Sequence, residues 1–537
     1  MGFWDKSLRI FKSLCDNGKQ GVRRVAQQTG LSKSSVHRLK QAMERRNSHP
    51  ESWFWETEDG RQWLTRLVVA TLYTFGLKRG VGMDTMSEFF THLRLATQMG
   101  CSPSALRGVM QALEAAILQT AGGWEQDGLA GGEVREIIGA VDETFLERMI
   151  LVFMDLSTGY LLLEEVAEDR TYATWKALVE ERLKVLGTGV LYLVSDRAKA
   201  LIQLAEQGLE CLSMPDFFHV VHELIKSYSL ALGRHRRHAH QGLKTATEAL
   251  ARLQGRPQAA QDAPEARALV AARQAEVMRW DEAHHTYRRH LETLSLTLHP
   301  FRIADSAPQT SAQVASHLQA TVEAIDVFAQ CHQLPPRHAA MTKVRKQLPA
   351  LAALVDFWWE GVRRDVEQAA ISPIWGRWAE EALLPLVYWE HQVAHTRCAR
   401  RKAKIQQALE AMQVAFGHHA LTQCLPPQAL KEWQDWAIHW VRAFQRASSA
   451  VEGRNGALSQ LHHNQRGLPK HRYKVWTVLH NFDCRAGDGT TPASRFFRRS
   501  FPDLFETVLS HIEALPRSRQ RQHDVTLSHW SHESVPR

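Results

Sequence analysis

The sequence is poor in cysteine and contains no long apolar run. Its seven cysteines in 537 residues are scattered singly, and none pairs with another at the spacing of a zinc finger or a redox motif. The longest apolar stretch, LVVATLYTFGL from Leu67, is too short to span a bilayer, and the start MGFWDKSLRIF lacks the pattern of a signal peptide. We therefore expect a reduced, cytoplasmic protein without a membrane partner.

The rest of the composition is that of a large globular protein with an excess of positive charge. Hydrophobic residues make up 44% and charged residues 23% of the chain, which is enough apolar material for several buried cores. The 66 Lys and Arg residues outnumber the 57 Asp and Glu residues, for a formal net charge of +9. This balance favours an anionic partner, and nucleic acid is the first candidate.

The first fifty residues contain two short helices around a glycine turn, in the segment VRRVAQQTGLSKSSVHRL. A small residue, Ala26, lets the helices cross, Gly30 suits a left-handed turn, and Ser32 caps the second helix. The apolar residues that close the core are Val25, Leu31, Val36 and Leu39. The pattern predicts a helix-turn-helix that reads double-stranded DNA in the major groove. The residues left to contact DNA are Lys33, Ser34, Ser35, His37, Arg38 and Lys40.

From Ile137 onward the hydrophobic pattern changes from helical to strand-like. Three strands are predicted in IIGAVDETF, MILVFMDL and YLLLEEV, and two more, each preceded by a helix, in VLYLVSD and CLSMPDF. A further helix, HVVHELIKSY, follows. This order of elements is expected of a ribonuclease-H-like core, an α/β fold with a mixed sheet. The chain as a whole is predicted to be mostly helical.

Three acidic residues are candidates for a catalytic metal site. Asp142 follows the apolar run of the first strand, Asp196 ends the fourth, and Glu452 lies early in the helix of SSAVEGRNG. Neighbouring parallel strands would deliver both aspartates to one edge of the sheet. Carboxylate oxygens are the ligands that Mg²⁺ prefers, so we predict that these residues hold two Mg²⁺ ions, with Mn²⁺ as a substitute, for work on a phosphodiester.

Between the second and third acids, strand patterns disappear for more than two hundred residues, which predicts an all-α insertion. Within it, the adjacent residues Trp358 and Trp359 are the tryptophans that we expect to be exposed, because neighbouring residues do not both face one core. The glycine-rich segment AGGWEQDGLAGG from Ala121 is predicted to be a linker. The predicted domains are a helix-turn-helix domain (1–50), a second helical domain that is a further candidate for DNA binding (51–130), the first part of the ribonuclease-H-like core (131–228), the insertion (229–445), the second part of the core (446–500) and a basic C-terminal tail (501–537).

The chain resembles the DDE transposases of prokaryotic insertion sequences. The resemblance covers most of the chain and depends on GAVDETF around Asp142, LVSDRAKAL around Asp196 and SSAVEGRNGALSQL around Glu452, together with the N-terminal helix-turn-helix. It implies Mg²⁺-dependent cleavage and strand transfer of DNA. The segment PDFFHVV, with Asp216 and His219, is similar to a motif that follows the second acid in transposases with such insertions. The accessory candidates of the site are Asp216, His219, Arg454 as a phosphate contact and Asn455 on the same helix face as Glu452.

The sequence leaves two alternatives to a transposase. A regulator derived from a transposase would bind DNA without catalysis, and a metal-dependent nuclease or resolvase would cut DNA without joining it. Transposition requires two element ends and a target DNA, so a homodimer on DNA is the expected working form. We expect no small-molecule substrate, and a location on the prokaryotic nucleoid when the protein is bound to DNA.

Overall fold

The computed structural model describes residues 2–18, 20–130, 135–254, 259–464 and 471–518. The chain forms two compact units. The terminal unit consists of Met1–Glu133, Glu164–Val166 and Arg454–Arg537, and the central unit consists of Val134–Leu163 and Ala167–Gly453.

The secondary structure is mostly helical with one group of strands. The helices before the strands are α1 (Phe3–Asn17), α2 (Val22–Thr29), α3 (Lys33–Arg46), α4 (Glu58–Thr71), α5 (Met83–His92) and α6 (Pro103–Leu129). The strands and the helices between them are β1 (Arg135–Leu146), β2 (Arg148–Asp155), β3 (Leu161–Ala167), α7 (Tyr172–Leu186), β4 (Thr188–Ser195), α8 (Lys199–Gln203) and β5 (Leu212–Pro215). The later helices are α9 (Phe217–Gln254), α10 (Ala259–Thr297), α11 (Ser311–Cys331), α12 (His338–Gln368), α13 (Pro373–Trp378), α14 (Leu384–His395), α15 (Ala399–His418), α16 (Ala420–Cys424), α17 (Pro427–Ala443), α18 (Ser449–Asn464), α19 (His471–Phe482), α20 (Pro492–Phe496) and α21 (Leu504–Ser510).

Helices α1 to α3 form the predicted helix-turn-helix in the terminal unit. The turn residue Gly30 has φ +69°, the left-handed conformation expected there, and it ends α2. Ser32 caps α3, because its Oγ accepts a hydrogen bond from the Ser35 N–H at 3.2 Å. The core residues of this domain are Ile10, Val25, Ala26, Val36, Leu39 and Met43, with Leu31 packed against them. The predicted core is therefore confirmed.

The glycine-rich segment after Ala121 is not a linker, contrary to our prediction. It is helical as far as Leu129, the last residue of α6. A Cβ atom at Gly128 would lie 2.4 Å from the ring of Phe497, so this glycine serves close packing within the terminal unit. The high glycine content led to the prediction of a linker. Gly128 is instead needed within a helix, because a larger residue there would clash with Phe497.

The strands form one five-stranded sheet in the order β3-β2-β1-β4-β5. Strand β1 pairs antiparallel with β2 and parallel with β4, and β4 pairs parallel with β5. The middle of β1 and nearly all of β2 are buried, which explains their continuous apolar runs. The predicted order of strands and helices is confirmed, including the helix α9 after the last strand.

The long region between β5 and α18 is helical, as predicted. Its first helix does not begin at the predicted boundary after residue 228, because α9 is continuous over Phe217–Gln254. Helices α9 and α10 pack against each other as a long hairpin.

The prediction that Trp358 and Trp359 are exposed is wrong. Trp358 is only 2% exposed and Trp359 only 3% exposed. The Trp358 indole N–H donates to the Trp440 carbonyl at 2.7 Å, and the Trp359 indole packs edge-on against Phe301. Adjacent positions are both buried because α12 is covered by other helices on more than one side.

The beginning of the predicted basic tail is folded. Leu504 and Val508 of α21 are buried in the terminal unit. Residues 519–537 of the predicted tail lie outside the described residues. In the ranges that are described, no helix is both long and apolar enough to cross a membrane.

Candidate functional site

Helix α3 presents the residues predicted to contact DNA along its outer side. Lys33, Ser34, His37 and Arg38 are exposed, whereas Val36 and Leu39 of the same helix are buried. This alternation leaves a polar, basic face next to the glycine turn, as in a recognition helix.

Three of the predicted DNA contacts also have partners within the domain, the first of them Ser34, whose hydroxyl lies 3.1 Å from the Ser32 hydroxyl. The Ser35 hydroxyl is hydrogen-bonded to the Ser32 hydroxyl at 2.8 Å. The Lys40 ammonium donates to the Gln20 carbonyl at 3.4 Å, which ties α3 to the loop before α2. Lys33, His37 and Arg38 are therefore the strongest candidates for contacts with the DNA.

A buried ionic cluster holds the end of α3. The Arg46 guanidinium forms two hydrogen bonds with the Glu56 carboxylate and one, at 2.5 Å, with the Ser7 hydroxyl of α1. The Asn47 amide donates to the same carboxylate at 2.8 Å. Burial by itself would raise the pKa of Glu56, but the hydrogen bonds and charges of Arg46, with Asn47 and Arg61, lower it below its ordinary value.

We expect the double substitution Lys33→Ala and Arg38→Ala to weaken binding to a mixed-sequence DNA duplex and to reduce its salt dependence. Each lost phosphate contact lowers the slope of log K against log salt by about 0.9, so the slope should fall by about 1.8. Fluorescence anisotropy at several salt concentrations measures it. Lys343→Ala, which removes an exposed charge of α12, is the control and should leave the slope unchanged. An unaltered slope in the double variant would exclude α3 as the DNA-contacting helix.

In the central unit, Asp142 and Asp196 occupy corresponding positions relative to the neighbouring strands β1 and β4. Ala140 of β1 pairs with Val194 of β4, and Asp142 and Asp196 each lie two residues beyond this pair. Asp196 is exposed, directly after the end of β4. The chain turns sharply there, because Arg197 has φ +61°, a left-handed conformation that costs a non-glycine residue about 1 kcal/mol.

Asp216 and His219 form a hydrogen-bonded pair beside Glu452. Asp216 is buried, and its carboxylate accepts hydrogen bonds from the Phe218 N–H at 2.7 Å and from His219 Nδ1 at 3.0 Å. His219 Nε2 lies 3.7 Å from Glu452 Oε1. The imidazole therefore lies between two carboxylates. Its hydrogen bond to Asp216 raises the pKa of His219 above the ordinary value, with support from the charges of Asp216, Glu452 and Asp142.

Burial and negative charge both act on the Asp142 carboxyl. Burial, followed by the negative charge of Glu452, raises the pKa of Asp142 to about 7. A cation would relieve this repulsion, and the oxygen donors of Asp142, Asp196 and Glu452 suit Mg²⁺ chemically. However, within the ranges that the structure describes, no three His, Cys, Asp or Glu side chains come together closely enough to hold a metal ion. The donor set thus fits Mg²⁺, while its side chains would have to move inward to bind one.

Arg454 does not fit its predicted role as a phosphate contact. Its guanidinium is buried and forms two hydrogen bonds with the Glu164 carboxylate, at 2.6 and 2.8 Å. The Thr477 hydroxyl also donates to Glu164, at 2.6 Å. This is a structural ion pair within the terminal unit. Asn455 is buried as well, so it does not share an open face with Glu452.

Sequence reasoning missed Ser448, the residue that links the segment before Glu452 to the sheet edge. Its hydroxyl donates to the Asp216 carboxylate, and its carbonyl accepts the Glu452 N–H at 3.1 Å. A serine just before a helix is a signal for a cap, but the partner of its side chain is 232 residues away in sequence.

Comparison with known families identifies the class of the N-terminal domain. Residues 5–47, which include nearly all of α1 to α3, match the model described as the IclR helix-turn-helix domain. The chain therefore contains an IclR-type helix-turn-helix, and the presence of this domain supports DNA as a binding partner. Residues 379–524 match a model described as a family of unknown function (DUF6399), a stretch that includes Glu452. No curated protein and no solved structure matches the chain.

Proposed function

We propose that this protein is a DDE transposase with a ribonuclease-H-like catalytic core. The observation that carries the proposal is the approach of Glu452 to Asp142 and His219 at the edge of the mixed sheet, although a long helical region separates Glu452 from the strands. The strand order, with parallel β1 and β4 at the centre, supports the same core.

In this proposal each part of the chain has a distinct task. The helix-turn-helix binds the element ends through Lys33, His37 and Arg38. Asp142, Asp196 and Glu452 hold Mg²⁺, which when bound supplies Lewis-acid activation of the attacking water or hydroxyl and stabilises charge on the phosphodiester. His219 holds the Glu452 carboxylate in place through its charge, and buried Asp216 orients His219. Two copies of the protein act on paired element ends.

One observation favours a second candidate, a DNA-binding regulator without catalysis. A DNA-binding domain is identified by its family, whereas no group of side chains in the described part of the chain is arranged to bind a metal ion. A regulator needs only the helix-turn-helix. The two proposals therefore differ in one property, the metal-dependent cutting of DNA.

The test is an assay of cleavage and joining on labelled DNA that carries the sequences flanking the gene. The wild-type protein is compared in Mg²⁺ and in EDTA, together with Glu452→Gln. A transposase should give joined products in Mg²⁺ only, and Glu452→Gln should lose them while retaining DNA binding.

Each other outcome of the assay contradicts the proposal in a recognisable way. Cutting without joined products would favour a nuclease or resolvase. DNA binding without any cutting in Mg²⁺ or Mn²⁺ would favour the regulator. Joining that survives Glu452→Gln would remove Glu452 from the catalytic set.

A further inference from the structure

Residues 443–448 connect the end of the helical region to α18, and we call them the tether segment. The tether segment is fastened to the sheet through Tyr192, a buried residue of β4. The Tyr192 hydroxyl donates to the Ala443 carbonyl at 2.9 Å and accepts the Gln445 N–H at 2.9 Å. Further along, the Arg446 carbonyl accepts the Phe217 N–H at 3.0 Å. The backbone that leads to Glu452 is thus held next to the residue that follows Asp216.

The side chain of Arg446 joins the tether segment to the helical insertion. Its guanidinium donates to the carbonyls of Ser295 and Leu298, at 2.8 and 2.6 Å, at the C-terminal end of α10. The last carbonyls of a helix have no partner within the helix and carry partial negative charge, so they attract a cation. The guanidinium also lies over the Phe217 ring, 5.4 Å from its centroid.

A buried histidine completes the acceptor site for Arg446. His299 Nε2 lies 3.3 Å from the guanidinium, and its Nδ1 is hydrogen-bonded to the Tyr388 hydroxyl of α14. Because Arg446 only donates, Nε2 must be the unprotonated nitrogen, so Nδ1 is the donor to Tyr388. Burial and the charge of Arg446 hold the pKa of His299 well below its ordinary value, so the His299 imidazole stays uncharged.

We propose that Arg446 is a positioning residue: it anchors the tether segment to the end of α10, so that the helical insertion determines where Glu452 stands relative to Asp142. The proposal rests on the proposed catalytic function of Glu452. It assigns the insertion a task at the active site, since its α10 and α14 provide the acceptor site for Arg446.

The test compares Arg446→Met with Arg446→Lys in the full-length protein. Methionine retains the length and apolar character of the side chain but loses every hydrogen bond, whereas lysine can still donate to the two carbonyls. We expect Arg446→Met to increase amide hydrogen exchange in peptides covering residues 443–452. We also expect it to lower the kcat of DNA cleavage about 10- to 100-fold, the effect typical of residues that support a ligand, with KM for DNA unchanged. Arg446→Lys should recover part of both losses.

Arg337→Met is the control, because Arg337 also donates to a helix carbonyl, that of Ser227, but among the described residues it forms no hydrogen bond or ion pair with the tether segment. It should alter neither measurement. Unchanged exchange over 443–452 in Arg446→Met would overturn the proposal, and so would increased exchange with an unchanged kcat. If the wild-type protein cuts no DNA, the proposed function fails, while the exchange experiment still decides whether Arg446 anchors the segment.

Discussion

Replacing Asp142 with asparagine should lower metal-dependent DNA cleavage about 1000-fold. Asp142 is the one predicted acid that is both partly buried and close to the charge of Glu452, so its carboxylate contributes most to attracting a cation. Loss of an anionic ligand removes several kcal/mol of stabilisation of the transition state, and about 4 kcal/mol corresponds to a factor of 1000 in rate. Single-turnover cleavage of the flanking-end DNA in Mg²⁺ measures the rate directly.

The adjacent residue provides the control for this prediction. Glu143 is ion-paired with Arg170, and because residues alternate along a strand it faces away from Asp142. Glu143→Gln should therefore keep the cleavage rate within about threefold, since it removes a similar charge from the same strand but none of the three predicted metal ligands. If both variants lost the same amount of cleavage activity, the rate would depend on the total negative charge at this edge of the sheet. The specific position of Asp142 would then have no special role.

Replacing Glu56 with glutamine should destabilise the N-terminal domain by about 3–5 kcal/mol. The Arg46 and Glu56 side chains are 7% and 1% exposed, so the substitution leaves the Arg46 cation buried without its counter-ion. The loss should also weaken DNA binding, because the same cluster holds the end of α3. Urea denaturation followed by amide hydrogen exchange in peptides covering residues 3–56 reports on this region.

The stability that Glu56 contributes should depend on pH. Its pKa in the folded protein is below the value near 4.3 of an unfolded chain, so the contribution is complete above pH 4.3 and is lost as the pH falls through the folded pKa. In Glu56→Gln this part of the acid sensitivity should be absent.

A surface ion pair in the same domain is the control for Glu56. Glu58 pairs with Lys12, and both side chains are about 60% exposed. Glu58→Gln should change the free energy of unfolding by less than about 1 kcal/mol. A comparable loss in both variants would contradict the argument from burial.

Parts of the candidate site could be predicted from the sequence because each depends on a short stretch of chain. Asp142 and Asp196 each follow a buried apolar run, and parallel pairing of β1 with β4 then brings them to one level. Gly30 and Ser32 could be assigned because a turn and a cap are local structures with few suitable residues. The family comparison confirms the helix-turn-helix that these residues predicted.

The errors arose where the role of a residue depends on a distant partner. Arg454 looked like a free cation near Glu452, but its carboxylate partner Glu164 is 290 residues away in sequence. Gly128 looked like part of a linker, but it makes room for Phe497. The prediction for Trp358 and Trp359 assumed that their helix packs against one neighbour and so has only one buried side. The helix is in fact covered on more than one side, and both residues are buried.

The sequence by itself determined the local elements of this protein: the helix-turn-helix, the order of strands and helices, and the two aspartates that follow buried apolar runs. These follow from hydrophobic period, turn residues and caps, whose physical causes act over a few residues. Only the tertiary structure decided that Ser448 meets Asp216, that Arg446 bonds to the end of α10, and that Arg454 is neutralised by Glu164. Such contacts depend on which distant segments pack together, and one arginine or serine is locally much like another until its partner is known.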